Sequence, residues 1–388
     1  MVKWWTPKGA WSFLSWLCHR ASDVRQQKND RSPVMSQSRI NAPGDSWVCL
    51  VVYGFFFPSK MPLLFLGFAL GAVATKTLRT VVGGPPSVRA GRLIPWEDEP
   101  MERTARQKKS PLKKICRFAN YYNNCWMNST LQATLNLNVV RKKLPNRILQ
   151  FVKLLANMPA FACLYLSALE KPGVSFTAAE LCVALAELCD CVPALLLYEN
   201  NDSVDLLVPL LSWFDQCGIR TSIKVRNVSW CPHCHHTTSS IANLGNIVTL
   251  PRPRNGETLL SLMKRATSGR RSRCKACGHK TMQKQFWPHS DILTFFVNRI
   301  VGDGYVSHDH VYSPELLEMN VNEKTKQTYR LASVICHDGV DRHSGHFWSY
   351  LFSNNVIIEA NDTDLSFTDQ GPPDKVYNNG TTYLYEMP

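Results

Sequence analysis

The chain has 388 residues, 45% of them apolar, which is enough to bury a sizeable core in one large domain or two ordinary ones. Of the net charge of +14, residues 1–115 carry +11 (18 Lys and Arg, 7 Asp and Glu) and residues 116–388 carry +3 (26 against 23), so the main domain lacks the basic excess typical of nucleic-acid binding. The 14 cysteines show no regular secreted spacing, which argues against a small disulfide scaffold and favours a reducing compartment, cytoplasmic or nuclear.

Residues 1–110 predict a basic, poorly structured region that ends in a linker rich in Gly, Pro and charge. Two apolar runs, 48–57 and 63–74, together approach the ~20 residues that cross a bilayer, but each is too short alone. Pro58, Lys60 and Pro62 separate them and weaken a transmembrane interpretation. The alternatives are membrane anchoring through 48–74, with a cytosolic main domain, and a poorly packed hydrophobic segment. The folded domain is expected at 112–388.

The first structured segment contains a candidate nucleophile, Cys125. It follows a polar, turn-forming run and precedes Met127, Leu131 and Leu135, whose spacing predicts a helix with one apolar face. A thiol in the first turn meets free backbone N–H groups and the positive end of the helix dipole, and both favour the nucleophilic thiolate. The alternative is a buried structural cysteine.

Further helices are predicted up to residue 214, so the first half of the domain is mainly helical. Residues 148–169 are apolar enough to form a largely buried helix. Thr177 and Glu180 form a capping box that opens a helix over 178–189. Residues 202–214 form another amphipathic stretch, in which Pro209 is expected to kink the helix or end its first half.

Two Cys-x2-Cys pairs predict a structural zinc site in the second half. The ligands are Cys231, Cys234, Cys274 and Cys277. Each pair on a tight turn places two thiolates at metal–ligand distance from one point. The long interval between the pairs suits a zinc-ribbon arm over about 225–285. A closed shell of four thiolates has no open position for a substrate, so Zn²⁺ here is expected to hold shape rather than to catalyse.

A histidine and two further polar residues lie on the strands that end the chain. Strands are predicted at 291–300, 329–336, 356–359 and 381–385. His346 follows Gly345 on a strand, and Asn361 and Asp362 end the next one, so a hairpin could set one of them beside Nδ1 of His346. A cysteine nucleophile needs such an imidazole to accept its proton and a third group to orient the ring. A satisfied structural histidine is the alternative.

Taken together, these motifs resemble the ubiquitin-specific proteases over about residues 115–388, in the same order. The cysteine box corresponds to Asn120, Cys125, Trp126, Met127, Asn128, Ser129, Leu131, Gln132 and Ala133. The histidine box corresponds to Tyr329, Leu331, His337, Gly339, Gly345, His346, Phe347, Asn361 and Asp362. Residues 201–206 resemble the helix start between the boxes, 288–299 the strand after the second cysteine pair, and 383–385 the last strand.

The resemblance implies a papain-like α+β fold with thumb, palm and zinc-ribbon fingers, and a thiol-dependent deubiquitinase that acts on ubiquitin and ubiquitinated proteins, here expected as a monomer. It implies that Cys125 is the nucleophile and His346 the general base. Asn361 occupies the third position of the triad, with Asp362 as an adjacent helper. Asn120 would donate its side-chain amide to the oxyanion, beside the Cys125 backbone N–H.

The sequence departs from the family pattern at four positions. Tyr122 replaces the glycine three residues before the cysteine, so a glycine-only backbone conformation there would carry strain. Trp126 stands where tyrosine or phenylalanine is common. Ile357 and Ala360 replace aromatic residues, and a less packed strand is expected there.

Three alternatives follow from these features. Because Tyr122 could block the tail channel, a catalytically weak ubiquitin-binding relative is one. A protease for another ubiquitin-like modifier is the second, since tail-recognition surfaces cannot be deduced from sequence. The third is a zinc-dependent nucleic-acid binder using Arg252, Arg254 and the basic run 270–273, although such runs are usually solvated faces.

Overall fold

A computed structural model describes residues 114–254, 256–267, 273–302, 304–341, 344–353, 356–368 and 371–388. The predicted N-terminal region and its apolar segment 48–74 lie outside these residues, and the boundary at 112 stays a prediction. Across the described ranges, no helix is both long and apolar enough to cross a membrane.

The first half of the described chain is helical, as predicted, with one short parallel strand pair beside the helices. The elements are β1 (Arg117–Phe118), α1 (Cys125–Leu135), α2 (Asn138–Lys143), a 3₁₀ turn (Leu144–Arg147), α3 (Ile148–Leu154), α4 (Pro159–Glu170), β2 (Ser175–Phe176), α5 (Ala178–Cys191) and α6 (Ser203–Gln216). The strands β1 and β2 pair in parallel.

The second half is mostly strand. The elements are β3 (Lys224–Trp230), β4 (Thr237–Asn243), β5 (Val248–Leu250), β6 (Glu257–Thr258), α7 (Leu259–Thr267), β7 (Met282–Phe286), β8 (Ile292–Val297), β9 (Val311–Tyr312), β10 (Leu316–Asn320), β11 (Lys326–Asp338), β12 (His346–Ser353), β13 (Val356–Asn361), β14 (Asp364–Thr368), α8 (Asp374–Asn379) and β15 (Gly380–Glu386). The main sheet runs in the order β14-β13-β12-β11-β15-β8-β5, with β10 beside β11. A separate sheet, β4-β3-β7, forms the predicted ribbon arm.

Helix α1 lies at the centre of the molecule, between α6 and the strands β11 and β12. Met127, Leu131 and Leu135 lie in the core as predicted, and the other faces of the helix are covered too, since all eleven of its residues are buried. Its polar residues tolerate burial because they are hydrogen-bonded: Thr130 Oγ1 donates to the Trp126 carbonyl at 2.8 Å, and Thr134 Oγ1 donates to the Thr130 carbonyl at 2.8 Å.

Two prolines behave differently from expectation. The helix predicted over 148–169 is broken, because Pro159 cannot donate to a preceding turn and instead opens α4 at its first position. Pro209, by contrast, lies inside α6 without ending it. Buried side chains on both sides of Pro209, such as Leu207 and Leu210, pack the two halves of the helix into one core, which outweighs the lost hydrogen bond. The capping box of Thr177 and Glu180 is confirmed.

Two buried carboxylates join the helices to the sheet. Glu386, near the end of the chain, accepts hydrogen bonds from Asn138 Nδ2 at 2.9 Å and from the Val139 backbone N–H at 3.0 Å, at the start of α2. Asp291 contacts Lys143 Nζ at 2.6 Å and the Arg220 guanidinium at 3.0 Å. Burial alone would raise the pKa of Asp291, but the hydrogen bonds from these two cations outweigh it and lower that pKa.

Candidate active site

The candidate nucleophile begins the central helix and is 3% exposed. Because Cys125 is the first residue of α1, its backbone N–H is one of those that the helix cannot pair. The residues before it form a compact loop around Asn124, which is fully buried. The Asn124 backbone N–H donates to Asn120 Oδ1 at 3.0 Å, and Asn124 Nδ2 donates to Asn128 Oδ1 at 2.9 Å. The loop is therefore tied to the helix that it opens.

The candidate base and its partner lie on the β12–β13 hairpin. His346 is the first residue of β12, and Asn361 is the last of β13. His346 Nε2 lies 2.7 Å from Asn361 Oδ1 and 3.9 Å from Asp362 Oδ2. The predicted contact through Nδ1 is wrong, because Nε2 is the ring nitrogen that faces Asn361. The Trp348 ring stacks near the imidazole, with 6.3 Å between centroids.

The surroundings of His346 favour its charged form. A hydrogen bond with the Cys125 side chain is the largest influence, burial opposes it, and the Asn361 hydrogen bond and the Asp362 charge add to it. Together they raise the pKa of His346 to about 9. The ring therefore keeps a proton at neutral pH.

Asp362 connects this hairpin to the cysteine loop and helix. Its Oδ2 accepts from Asn120 Nδ2 at 2.9 Å, and its Oδ1 accepts from Asn128 Nδ2 at 2.7 Å. Its backbone carbonyl accepts from Gln132 Nε2 at 2.9 Å. Asp362 has a φ of +53°, which an aspartate tolerates better than most residues. One carboxylate thus holds the loop and the helix against the end of β13.

Two residues of this network were not among the predicted site residues. Asn128 and Gln132 appeared only as members of the cysteine box, without a role. The signal that could have found them is their spacing: two amides four residues apart lie on one face of a helix that is otherwise largely apolar. Such a face needs polar partners from elsewhere in the chain.

Asn120 has a second amide hydrogen that Asp362 does not use. Its amide nitrogen carries two hydrogens, and Asp362 accepts only one of them. Because Asn120 also accepts from the Asn124 backbone N–H, the orientation of its amide is fixed from both ends. The second hydrogen can serve a substrate oxygen.

The strain expected at Tyr122 does not arise. The left-handed backbone conformation in this loop belongs to Asn123, with φ +54°, and asparagine tolerates it. The Tyr122 ring packs instead on Tyr198, with 5.7 Å between centroids. In β13, Ile357 and Ala360 are both buried.

The four predicted metal ligands come together at the tip of the ribbon arm, with all four sulfurs within 4.8 Å of one another. The Sγ atoms of Cys231 and Cys277 lie 3.4 Å apart, and those of Cys234 and Cys274 lie 3.5 Å apart. A tetrahedron of thiolates around Zn²⁺ has sulfurs about 3.8 Å apart, since Zn–S bonds are ~2.3 Å. The cluster can therefore hold a metal ion.

Backbone hydrogen bonds in the two turns favour the ligating form of Cys231 and Cys274, whereas contacts among the four thiols help to raise the pKa of Cys234 and Cys277. The N–H of Cys234 is the main cause that lowers the pKa of Cys231 to about 7. A hydrogen bond from the Ala276 backbone is the main cause that lowers the pKa of Cys274. Beside the cluster, the rings of His233 and His279 stack with 3.9 Å between centroids. With Cys277 these two histidines form a second group whose ligand atoms lie within 4.8 Å of one another.

Comparison with protein families gives a match to ubiquitin carboxyl-terminal hydrolases over residues 116–385. The chain belongs to this family. It is a hydrolase of the cysteine protease class, a deubiquitinase, as the sequence motifs predicted. The match spans the helical half, the ribbon arm and the main sheet.

Solved structures with the same fold include chains of the SAGA Ubp8/Sgf11/Sus1/Sgf73 module. The module bound to ubiquitin aldehyde matches with a TM-score of 0.55 and 14% identity, over 71% of this chain and 70% of that chain. The module with a substituted Ubp8, bound to monoubiquitin, matches with a TM-score of 0.56 and 13% identity, over 85% and 76%. The yeast module with a mutant Sgf73 matches with a TM-score of 0.52 and 14% identity, over 71% and 69%. No curated protein matches the chain. These likenesses confirm the predicted α+β fold.

Proposed function

We propose that the chain hydrolyses the peptide or isopeptide bond after the C-terminal glycine of ubiquitin, using Cys125, His346 and Asn361 as its triad. The observation that carries this proposal is the position of His346, whose Nε2 lies 2.7 Å from Asn361 Oδ1 and whose pKa is raised chiefly by the side chain of Cys125. A ring held between a thiol and an amide acceptor can receive the thiol proton and later return it to a leaving amine.

The reaction follows from these positions. The Cys125 thiolate attacks the carbonyl carbon of the ubiquitin tail, and the oxygen becomes an oxyanion. The Cys125 backbone N–H and the second amide hydrogen of Asn120 stabilise it, and one such donor typically lowers a barrier by ~3 kcal/mol. His346 gives its proton to the leaving lysine amine, which leaves a thioester. Water, deprotonated by His346, then hydrolyses the thioester and releases ubiquitin.

In this proposal Asp362 acts through its neighbours. It lies farther from His346 than Asn361 does, and it holds Asn120 and Asn128 with its two carboxylate oxygens. It orients the oxyanion donor rather than the imidazole. Its negative charge also helps to keep the ring protonated.

The choice of ubiquitin rests on the family match and on the similar structures, which contain ubiquitin or ubiquitin aldehyde.

We also propose that the four-cysteine cluster binds one Zn²⁺, which shapes the ribbon arm without taking part in the chemistry. The enzyme would act as a monomer in the cytoplasm or nucleus, or from a membrane if residues 48–74 anchor it. Carbonate extraction of cell membranes tests the anchor: complete release into the soluble fraction contradicts it.

An electrophilic probe on the C-terminus of ubiquitin tests the activity. The full chain should be labelled, Cys125→Ala should not be, and Cys217→Ala, at another buried free thiol, should be labelled like the wild type. Probes made from ubiquitin-like modifiers, run in parallel, test the alternative substrates. Ubiquitin binding without labelling would instead indicate the catalytically weak relative.

A further inference from the structure

Two loops meet beside Cys125. The first, the nucleophile loop, comprises residues 120–124. The second, the bridge loop, comprises residues 196–201 and joins α5 to α6. Asn123 Nδ2 donates to the Tyr198 carbonyl at 3.0 Å, and the rings of Tyr122 and Tyr198 lie 5.7 Å apart at an angle of 46°. Tyr198 thus contacts two successive residues of the nucleophile loop, once through its backbone and once through its ring.

Both sides of this contact have unusual backbone conformations. Asn123 has a φ of +54° and Tyr198 a φ of +65°. Left-handed conformations are uncommon for residues other than glycine, and for a bulky residue such as tyrosine they persist only where the surroundings hold them. At Tyr198 the conformation directs the carbonyl and the ring toward the same neighbouring loop.

Hydrogen bonds of the Asn201 side chain stabilise the bridge loop. Asn201, 5% exposed, donates through Nδ2 to the carbonyls of Leu196 at 2.8 Å and Glu199 at 3.1 Å, and its Oδ1 accepts from the Leu196 N–H at 2.8 Å. Two residues later α6 begins, and the Ser203 carbonyl lies 3.3 Å from Thr130 Oγ1 of α1. Tyr198 is therefore presented by a loop anchored in the core.

The nucleophile loop matters to the proposed chemistry because of the groups that it positions. It carries both groups that can stabilise an oxyanion, the Asn120 amide and the backbone N–H of Cys125 at its end. Its internal hydrogen bonds, from the Tyr122 and Asn124 N–H groups to Asn124 Oδ1 and Asn120 Oδ1, fix its shape. A shift of the loop would move both donors relative to a substrate oxygen, to which catalysis is sensitive on the ångström scale.

We propose that Tyr198 is a positioning residue for the reaction, which holds the nucleophile loop so that the Asn120 amide and the Cys125 N–H face one substrate oxygen. Tyr122 supplies the opposing ring, at the position where the related proteases have glycine. The proposal rests on the proposed function and adds to it a residue outside the cysteine and histidine boxes.

The test separates chemistry that needs the oxyanion donors from chemistry that does not. Hydrolysis of a fluorogenic ubiquitin C-terminal amide passes through an oxyanion. Alkylation of Cys125 by a ubiquitin carrying a C-terminal haloalkyl group needs only bound ubiquitin and a thiolate. For Tyr198→Ala we expect kcat to fall roughly 10- to 100-fold, with KM and the alkylation rate changed by less than about threefold.

Three variants complete the design. Tyr198→Phe retains the ring and the carbonyl and should behave as wild type. Asn123→Gly keeps the left-handed backbone accessible but loses the hydrogen bond to Tyr198, so its kcat should fall without a loss of alkylation. Tyr305→Ala is the matched control, since Tyr305 lies in neither loop and is 60% exposed.

Wild-type kcat in Tyr198→Ala overturns the proposal, and so does an equal fall in hydrolysis and alkylation, which would indicate damage to the thiolate or the fold. A rise in KM alone overturns it too, because it would make Tyr198 a ubiquitin contact. If the wild-type chain is alkylated but does not hydrolyse the amide, the proposed function fails first, and the inference fails with it.

Discussion

Asn361 Oδ1 lies 2.7 Å from Nε2 of His346, whereas the nearest carboxylate oxygen of the neighbouring Asp362 is 3.9 Å from the same nitrogen. The residue at the third position of the candidate triad is therefore a neutral amide, with a carboxylate one residue farther along the chain. The amide orients the ring, and the charge acts on it from a greater distance. One aspartate often both orients the imidazole and stabilises its positive charge. Here these two tasks are divided between two adjacent residues.

Replacement of Asn361 should move the pH profile of the enzyme. The alkaline limb of kcat/KM is expected near pH 9, because activity falls when the imidazolium loses its proton. Asn361→Ala removes a hydrogen bond that raises the pKa of His346, so the limb should shift to lower pH, and activity at neutral pH should fall roughly 10- to 100-fold. Asn361→Asp, which adds a negative charge, should shift the limb upward. If kcat/KM of Asn361→Ala falls at the same alkaline pH as that of the wild type, another group holds the ring.

Asn120 and Asp362 should behave as one unit in catalysis. Asn120→Ala should lower kcat by ~10²–10³ because one oxyanion donor is lost. Asp362→Ala should lower it as well, since the carboxylate that orients this donor is gone. The double variant should be little worse than the worse single one, because both changes remove the same interaction. Additive losses, measured as ratios of kcat, would mean that the two residues act independently.

Removal of the metal should unfold the ribbon arm. The wild-type chain is expected to hold one Zn²⁺ by native mass spectrometry, and Cys274→Ser should lose it, since three thiolates bind zinc more weakly than four. Chelation should lower the melting temperature and expose β3, β4 and β7 to hydrogen exchange. Cys189→Ser is the control, because Cys189 is a free cysteine outside the cluster and should retain the metal. A metal-free wild type with the same melting temperature would contradict the proposal.

Asp291 should contribute stability at neutral pH that is lost in acid. Its pKa is lower in the folded chain than in the unfolded one, so the contribution is present above the unfolded value and disappears as the pH falls through the folded value. At neutral pH, Asp291→Asn should reduce the free energy of unfolding by about 2 kcal/mol, because the side chain is 1% exposed and bonded to two cations. The exposed pair of Lys326 and Glu318 is the matched comparison, and Glu318→Gln should cost less than ~1 kcal/mol in a denaturant titration.

Local patterns in the sequence were enough to predict the elements around the site. The capping box at Thr177, the strand that contains His346 and the two cysteine turns each depend on a few neighbouring residues, and the structure has them where they were expected. The break at Pro159 and the continuous helix through Pro209 were harder to predict from the sequence. Proline ends a helix in one place and is tolerated in the other, and tertiary packing decides between them.

Contacts between distant residues could not be deduced from residue types alone. Which ring nitrogen of His346 faces Asn361 depends on the orientation of the side chain, and which carboxylate faces Asn120 depends on the turn after β13. The contact of Tyr198 with the nucleophile loop required a left-handed conformation that no sequence pattern predicts for tyrosine. These features arise from the packing of loops that lie far apart in the chain.

The hydrogen bond between Asn120 and Asp362 joins residues 242 positions apart. During synthesis on the ribosome, the cysteine therefore emerges long before the histidine that would activate it. Until the β12–β13 hairpin has been made and docked, Cys125 has neither a proton acceptor nor oriented amides, and it reacts as an unactivated thiol. On the proposed mechanism, the order of the chain thus delays proteolytic activity until nearly the whole catalytic domain has been made.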